Sequence, residues 1–272
     1  MKVVDSAFVS EALRIVENAE RQGIKIRIMG AVAIRLHASR MLEQSQTLKR
    51  DITDIDFVGY SKQKDEIENL VTQSGYDEVK AMITPGLLLN RLIFVSKKDP
   101  GKHIDIFLDQ LQMCHTIDFR DRLDLDYPTI ALAYLVLQKM QIVKINEKDI
   151  KDTLAILLEH EVGRDGKETV DADLISKILS DDWGFYYTVT TNLNKIRGFM
   201  ETYNVAEADR TLINKRLDAL IAAIEDQPKG MKWKMRARIG TKKKWYNEVE
   251  EVERATHLIQ GNGNNQGDAA LN

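Results

Sequence analysis

Residues 50 to 58 read Arg-Asp-Ile-Thr-Asp-Ile-Asp-Phe-Val, and two carboxylates, Asp54 and Asp56, alternate there with apolar residues. In a β-strand successive side chains point to opposite faces, so these carboxylates would share one face with their Cα atoms roughly 6.5 to 7 Å apart. Like charges at that spacing repel each other, and a cation between them removes the repulsion. The stretch therefore predicts a strand that holds divalent cations.

Two other interpretations of the acidic pair are weaker. In a calcium-binding loop starting at Asp54, Val58 would take the fifth position, where an oxygen ligand is required. The pair could also be ordinary surface charge on an edge strand. However, the apolar side chains of Ile52, Ile55 and Phe57 indicate a mostly buried strand. We therefore interpret the pair as a cation site, and two-metal sites of this kind serve phosphoryl and nucleotidyl transfer.

A third carboxylate, Asp105, lies in a later predicted strand with isoleucine on both sides. Residues 91 to 96 and 103 to 108 have strand composition, and the Asp-Pro-Gly sequence at 99 to 101 is a turn signal. The two strands are therefore predicted to form an antiparallel hairpin that carries Asp105.

A glycine follows the first predicted strand. Residues 24 to 28 alternate apolar and charged side chains, and Met29-Gly30-Ala31 leads from them into a predicted helix. A helix N-terminus at such a junction presents N–H groups to an anion, which makes Gly30 and Ala31 candidates for phosphate binding. Glycine also occupies strand-helix junctions for steric reasons alone, and that alternative stays open.

Composition limits the class of protein. The 272 residues are 43% apolar and 30% charged, with a formal net charge of -3, as expected for a globular protein without an overall excess of positive charge. Cys114 is the single cysteine, which excludes an intrachain disulfide and a Cys-rich zinc site. Neither a membrane-spanning apolar run nor the apolar core of a signal peptide is seen, so a cytoplasmic location without membrane contact is expected.

Three regions are predicted along the chain. Residues 1–125 mix strands and helices, whereas residues 126–258 read as helices, the first of which is opened by Asp126 and Pro128. Residues 259–272 have low complexity and are expected to be disordered.

The segment from Lys229 to Lys244 has eight Lys or Arg residues and no acid. Trp233 and Trp245 lie in and beside it and could stack on bases, so the segment is a candidate site for RNA or another acidic acceptor. A solvated basic face is the alternative.

The order of these motifs resembles that of the nucleotidyltransferase-fold superfamily, the DNA polymerase beta-like group. That group has a hydrophobe-Gly-Ser/Gly motif, a carboxylate-hydrophobe-carboxylate motif and a later lone carboxylate. The matching residues here are Met29-Gly30-Ala31, Asp54-Ile55-Asp56 and Ile104-Asp105-Ile106. Ala31 departs from the pattern, because the group usually has Ser or Gly at that position.

Flanking residues are similar to bacterial minimal and abortive-infection-type nucleotidyltransferases. Arg50 and Thr53 precede the acidic pair as in those groups, and Lys139 is followed by Lys148-Asp149-x-x-Asp152. The resemblance covers roughly residues 24 to 158.

The resemblance implies an α/β (α+β) fold, with a mixed sheet flanked by helices and then an all-helical C-terminal domain. It implies Mg²⁺- or Mn²⁺-dependent transfer of a nucleoside monophosphate from an NTP to a hydroxyl of RNA, protein or a small molecule, with release of pyrophosphate. The implied catalytic and metal-binding residues are Asp54, Asp56 and Asp105. The implied nucleotide-binding residues are Gly30, Ala31, Arg50, Thr53, Lys139 and Lys148.

Alternatives to these roles stay open. Lys139 also suits a lysine that reaches solvent from the end of a buried helix, and Arg50 also suits a solvated loop. Asp149 and Asp152 are expected to orient the lysines or to bond to the backbone, and not to bind metal. Ala31 favours a non-catalytic regulator that binds nucleotide or RNA on the same fold. A third possibility is a toxin that is silenced by an antitoxin partner.

Overall fold

The computed structural model describes residues 3–38, 51–79, 90–164, 168–203 and 205–248. The strands of the first half are β1 (Ile26–Met29), β2 (Asp54–Gly59), β3 (Tyr76–Glu78), β4 (Arg91–Ser96), β5 (His103–Leu108), β6 (Gln110–Gln112) and β7 (Thr116–Asp118). The helices of this half are α1 (Val3–Arg21), α2 (Gly30–His37) and α3 (Lys64–Gln73).

Five strands form a mixed sheet in the order β1-β2-β5-β4-β3. Strand β2 runs parallel to β5, and the other neighbours are antiparallel, including the predicted hairpin of β4 and β5. The register places Asp56 opposite Met29 of β1 on one side and opposite Asp105 of β5 on the other. The sheet therefore brings together carboxylates that are far apart in the sequence.

The second half is mainly helical. Its elements are α4 (Leu132–Met140), α5 (Glu147–Glu159), β8 (Glu161–Gly163), β9 (Thr169–Asp171), α6 (Ala172–Asp181), α7 (Trp183–Thr202), α8 (Glu207–Asp226) and α9 (Met231–Ile239). Helix α4 is buried at every position except Gln138, as its apolar sequence predicts. The mixed sheet followed by mainly helical elements confirms the predicted α/β (α+β) class. The prediction that residues 126–258 are all-helical is wrong at β8 and β9, which pair in parallel with each other.

Helix α4 begins later than the sequence suggests. Asp126 and Pro128 were expected to open it, but its first residue is Leu132. The preceding residues run beside β1, where the Ile28 N–H donates to the Pro128 carbonyl and the Ile130 N–H donates to the Ile28 carbonyl, each at 3.0 Å. These bonds pair the backbone N–H and carbonyl groups of Ile28 at an edge of β1. They also hold the preceding residues extended, although local propensity favours a helix there.

Packing joins the two halves. Helix α2 contacts strand β2 on one side and helix α5 on the other. One contiguous cluster of buried apolar residues extends from Phe8 to Ile224. Within the described part of the chain, no helix has the length and apolar character needed to cross a bilayer. The boundaries between residues 1–125, 126–258 and 259–272 stay predictions, and the last of these segments lies outside the described residues.

Candidate active site

Three carboxylates converge at one end of the β2–β5 pair. Asp54 and Asp56 lie on the same face of β2, and the parallel register puts Asp105 directly beside Asp56. One carboxylate oxygen from each residue lies within 4.8 Å of the other two. Asp54 and Asp56 are half-buried and Asp105 is buried. The predicted convergence is therefore observed, whereas the role of the three residues as metal ligands stays a prediction.

The burial and crowding of these carboxylates change the pKa of Asp56. Burial raises the pKa of its carboxyl to about 8, and the nearby Asp54 and Asp105 carboxylates add to the rise. The positive charges of Lys139 and Arg91 oppose it. Without a further cation, Asp56 therefore holds a proton at neutral pH, and a divalent cation would replace that proton.

Arg91 is a site residue that the sequence reasoning missed. Its Nη2 donates to Asp105 Oδ2 at 2.7 Å and its Nε donates to Oδ1 at 3.3 Å, in the two-pronged geometry typical of Arg with a carboxylate. The signal was present in the hairpin, because Ile93 pairs with Asp105 and Arg91 lies two residues away on the same face of β4. Arg91 therefore supplies a positive charge at the edge of the carboxylate cluster.

Gly30 supports Asp56 from the first turn of helix α2. Its backbone has φ +65°, a conformation that favours glycine, and its N–H donates to Gln138 Oε1 at 3.0 Å. A Cβ added to Gly30 would overlap Asp56 Oδ2 and lie only 3.0 Å from Asp56 Cγ. The neighbouring Ala31 is buried. Glycine is therefore required here both for its conformation and for the close approach of the carboxylate.

We expect Gly30→Ala to displace the Asp56 carboxylate and to lower metal-dependent activity at least about 100-fold, because small misplacements of reacting groups have effects of this size. Gly23→Ala is the matched control, since Gly23 has φ +72° but open space where a Cβ would be. Both variants should lose roughly 1 to 2 kcal/mol of stability from the positive φ. Equal losses of activity in the two variants would contradict this role for Gly30.

The predicted nucleotide-binding lysines have different surroundings. Lys139 Nζ lies 2.9 Å from Asp152 Oδ2 and 3.3 Å from Asp149 Oδ1, with all three side chains at least 90% buried. Lys148 is exposed at the start of α5. The position of Asp149 and Asp152 against Lys139 agrees with the expectation that these acids orient a lysine.

The remaining predicted residues flank β2. Thr53 is exposed, and its hydroxyl donates to Asp54 Oδ1 at 3.3 Å. Arg50 lies outside the described residues. Thr53 is therefore placed to orient one carboxylate of the cluster.

The donor set of the cluster fits hard divalent cations. Three carboxylates supply only oxygen ligands, which Mg²⁺ and Mn²⁺ prefer. The raised pKa of Asp56 reflects negative charge that a bound cation would neutralise. The residues present therefore suit Mg²⁺ or Mn²⁺.

The basic segment from Lys229 to Lys244 contains helix α9 and packs on α7. Trp233 Nε1 donates to the Leu179 carbonyl and Trp245 Nε1 donates to the Thr188 hydroxyl, each at 3.1 Å, and both indoles are half-buried. The indoles thus contribute to packing, while most of the basic side chains face solvent.

Comparison with known proteins finds solved structures at low identity and low TM-score. No protein-family model and no curated protein matches the sequence. The antibiotic-resistance factor ANT(2'')-Ia is 12% identical, over 56% of this chain and 83% of its own, with a TM-score of 0.37. JHP933 from Helicobacter pylori is 9% identical, over 86% of this chain and 93% of its own, with a TM-score of 0.37. An H. pylori protein described as a nucleotidyltransferase is 8% identical, over 87% of this chain and 98% of its own, with a TM-score of 0.34.

Proposed function

We propose that this protein is a divalent-metal-dependent nucleotidyltransferase, which moves a nucleoside monophosphate from an NTP to a hydroxyl acceptor and releases pyrophosphate. The observation that carries the proposal is the convergence of Asp54, Asp56 and Asp105 within 4.8 Å on two paired strands. A partly buried cluster of three acids costs stability unless a cation binds there, and this cost is typical of a site kept for its chemistry.

The residues have separate roles in this proposal. Asp54 and Asp56 would hold Mg²⁺ or Mn²⁺, and Asp105 would complete the cluster of metal ligands. The metal supplies charge neutralisation on the phosphates and lowers the pKa of the acceptor hydroxyl. In the transfer, the acceptor oxygen bonds to the α-phosphorus, the bond from that phosphorus to the β-phosphate oxygen breaks, and pyrophosphate leaves.

Positive charge beside the carboxylates would bind the triphosphate. Lys139 and Arg91 already act electrostatically on Asp56, and Lys148 is at the exposed start of the neighbouring helix. The backbone of Gly30 and Ala31 begins helix α2 next to Asp56. Ala31 lacks a hydroxyl, so its contribution to phosphate binding is limited to the backbone. Arg50 and Thr53 complete the proposed nucleotide-binding set.

A second candidate function is a metal-free regulator that binds nucleotide or RNA. The observation that favours it is the two-pronged Arg91–Asp105 pair, in which a guanidinium occupies a carboxylate that the enzyme would use for metal. In this alternative the protein would bind NTP equally well with and without a divalent cation.

The acceptor is the least defined part of the proposal. The exposed lysines of the basic segment, with the apolar side chains of Met231 and Met235 also exposed on α9, offer a surface for RNA or another acidic acceptor. An antitoxin that silences the activity is a further proposed partner, as the resemblance to toxin-type groups implies.

The test is label transfer from each α-labelled NTP, with Mg²⁺ or Mn²⁺ and total cellular RNA or protein as acceptor. We expect transfer by the wild type, a loss of at least about 100-fold in Asp54→Asn, and no change in Asp77→Asn. Asp77 is the matched control because it is an exposed carboxylate on β3 of the same sheet. Absence of transfer to every acceptor, together with NTP binding that ignores the metal, would overturn the enzyme and favour the regulator.

A further inference from the structure

A second cluster of metal-ligating side chains lies away from the three aspartates. His37 ends helix α2, His160 follows helix α5 as its C-terminal cap, and Glu168 precedes strand β9. One ligand atom from each residue lies within 4.8 Å of the other two. Glu168 Oε2 is 3.4 Å from His160 Nδ1 and 3.8 Å from His37 Nδ1. The two histidines are about 90% buried, whereas Glu168 is 73% exposed.

The surroundings of His160 call for a cation. Its Nε2 lies 2.9 Å from the His37 carbonyl oxygen, and its Nδ1 lies 3.1 Å from the Glu168 carbonyl oxygen. Carbonyl oxygens only accept hydrogen bonds, and a neutral imidazole has a single N–H to donate. If Nε2 donates to His37, then Nδ1 points its lone pair at the carbonyl and carboxylate oxygens of Glu168. A cation between His160 Nδ1 and the Glu168 oxygens would convert this repulsion into attraction.

The distances suit a transition metal. In a tetrahedral zinc site with bonds of about 2.0 to 2.1 Å, neighbouring ligand atoms are about 3.4 Å apart. The two distances to Glu168 Oε2, 3.4 and 3.8 Å, lie close to that value. Imidazole and carboxylate together favour Zn²⁺ over Mg²⁺, which prefers oxygen ligands alone.

The Nε2 atoms of His37 and His160 both have polar contacts of the kind that orient metal-binding histidines. His37 Nε2 lies 2.6 Å from the Thr129 hydroxyl, and His160 Nε2 lies against the His37 carbonyl. Such contacts fix the ring orientation, and in the tautomer whose Nε2 carries the proton, the Nδ1 lone pair is available to a metal. In both histidines the nitrogen that faces Glu168 is therefore the one available as a ligand.

We propose that His37 Nδ1, His160 Nδ1 and the Glu168 carboxylate bind Zn²⁺, with the fourth position left to water or to the Glu168 carbonyl. The site links α2, which packs on the carboxylate-bearing strand β2, to α5 and β9 of the helical half. The proposed zinc site shares no residue with the proposed nucleotidyl-transfer site. Zinc binding can therefore be tested whether or not the protein is a nucleotidyltransferase.

The test is calorimetric titration of EDTA-treated, full-length protein with ZnCl₂ in excess Mg²⁺, which competes with Zn²⁺ for the aspartate cluster. We expect one Zn²⁺ per chain, and an affinity at least about tenfold lower in Glu168→Gln. Because Glu168 is mostly exposed, this substitution leaves the packing intact. Glu161→Gln, an exposed glutamate on β8, is the matched control and should bind like the wild type.

Substitution with Co²⁺ provides a second measurement. A four-coordinate site gives intense visible absorption, which six oxygen ligands at the aspartate cluster do not give, and the bands should vanish in Glu168→Gln. Absence of Zn²⁺ binding in the wild type, or equal binding and equal Co²⁺ spectra in Glu168→Gln, would overturn the site.

Discussion

Asp56→Asn is expected to abolish nucleotidyl transfer and, at the same time, to make the metal-free protein more stable. Activity should fall at least about 10³-fold, because the carboxylate that holds the metal contributes several kcal/mol to the transition state. Stability should rise at pH values above the raised pKa of Asp56, because the amide then removes a negative charge next to Asp54 and Asp105 while keeping the shape of the side chain. A residue that costs stability and is needed for activity is typical of an active site.

The gain in stability should depend on pH. The pKa of Asp56 is raised from 3.8 to about 8 in the folded protein, so the folded state holds a proton that the unfolded state has lost between these values. Stability of the wild type therefore falls as pH rises from about 4 to about 8, whereas Asn does not titrate. The advantage of Asp56→Asn should be absent near pH 4 and reach roughly 1 to 3 kcal/mol above pH 8.

Urea unfolding in EDTA at pH 5 and pH 8.5 measures this difference. Asp77→Asn serves as the control, because its exposed carboxylate should change stability by less than about 0.5 kcal/mol at either pH. An Asp56→Asn protein less stable than the wild type at pH 8.5 would show that the carboxylate is compensated within the fold.

Lys139→Met is expected to destabilise the protein by about 3 to 5 kcal/mol, the cost of leaving buried charges without their partner. Its Nζ lies 2.9 Å from Asp152 and 3.3 Å from Asp149, and both acids are buried. Methionine keeps the length of the side chain and the helix propensity of α4, so packing changes little. The same substitution should further raise the pKa of Asp56, because Lys139 lowers it in the wild type.

Urea unfolding at pH 7 checks this prediction, with Lys148→Met as the matched control. Lys148 is exposed, so its replacement should change stability by less than about 0.5 kcal/mol. Adding Asp152→Asn to Lys139→Met should recover part of the loss, since one of the two buried negative charges beside position 139 is then removed. If Lys139→Met and Lys148→Met unfold at the same urea concentration, Lys139 is not the neutralising centre of this acid pair.

The sequence predicted those parts of the candidate site that depend on a local pattern of residues. The two-residue spacing of Asp54 and Asp56 already places them on one face, and apolar neighbours mark Asp105 as unusual. The parallel pairing of β2 with β5, which sets Asp105 beside Asp56, is a long-range choice that no local pattern encodes. The resemblance to the nucleotidyltransferase-fold superfamily predicted that Asp105 joins the acidic pair.

Other features depend on contacts between distant segments. His37, His160 and Glu168 have no metal-ligand spacing in the sequence, and they meet only because α2 packs on α5. Helix α4 starts at Leu132 because the preceding residues bond to β1, which local propensity cannot show. Trp233 and Trp245 read as stacking surfaces in the sequence, but in the fold their indoles donate to α6 and α7.

The most direct test of the central claim is Mn²⁺ binding, followed by electron paramagnetic resonance in the presence of a non-hydrolysable NTP analogue. Glu168→Gln is the starting protein, so that the imidazole cluster does not contribute. The account predicts that NTP-dependent Mn²⁺ binding weakens at least about tenfold when Asp54→Asn or Asp56→Asn is added, and is unchanged by Asp77→Asn. Equal Mn²⁺ affinity in all of these variants would contradict a metal site at the three aspartates.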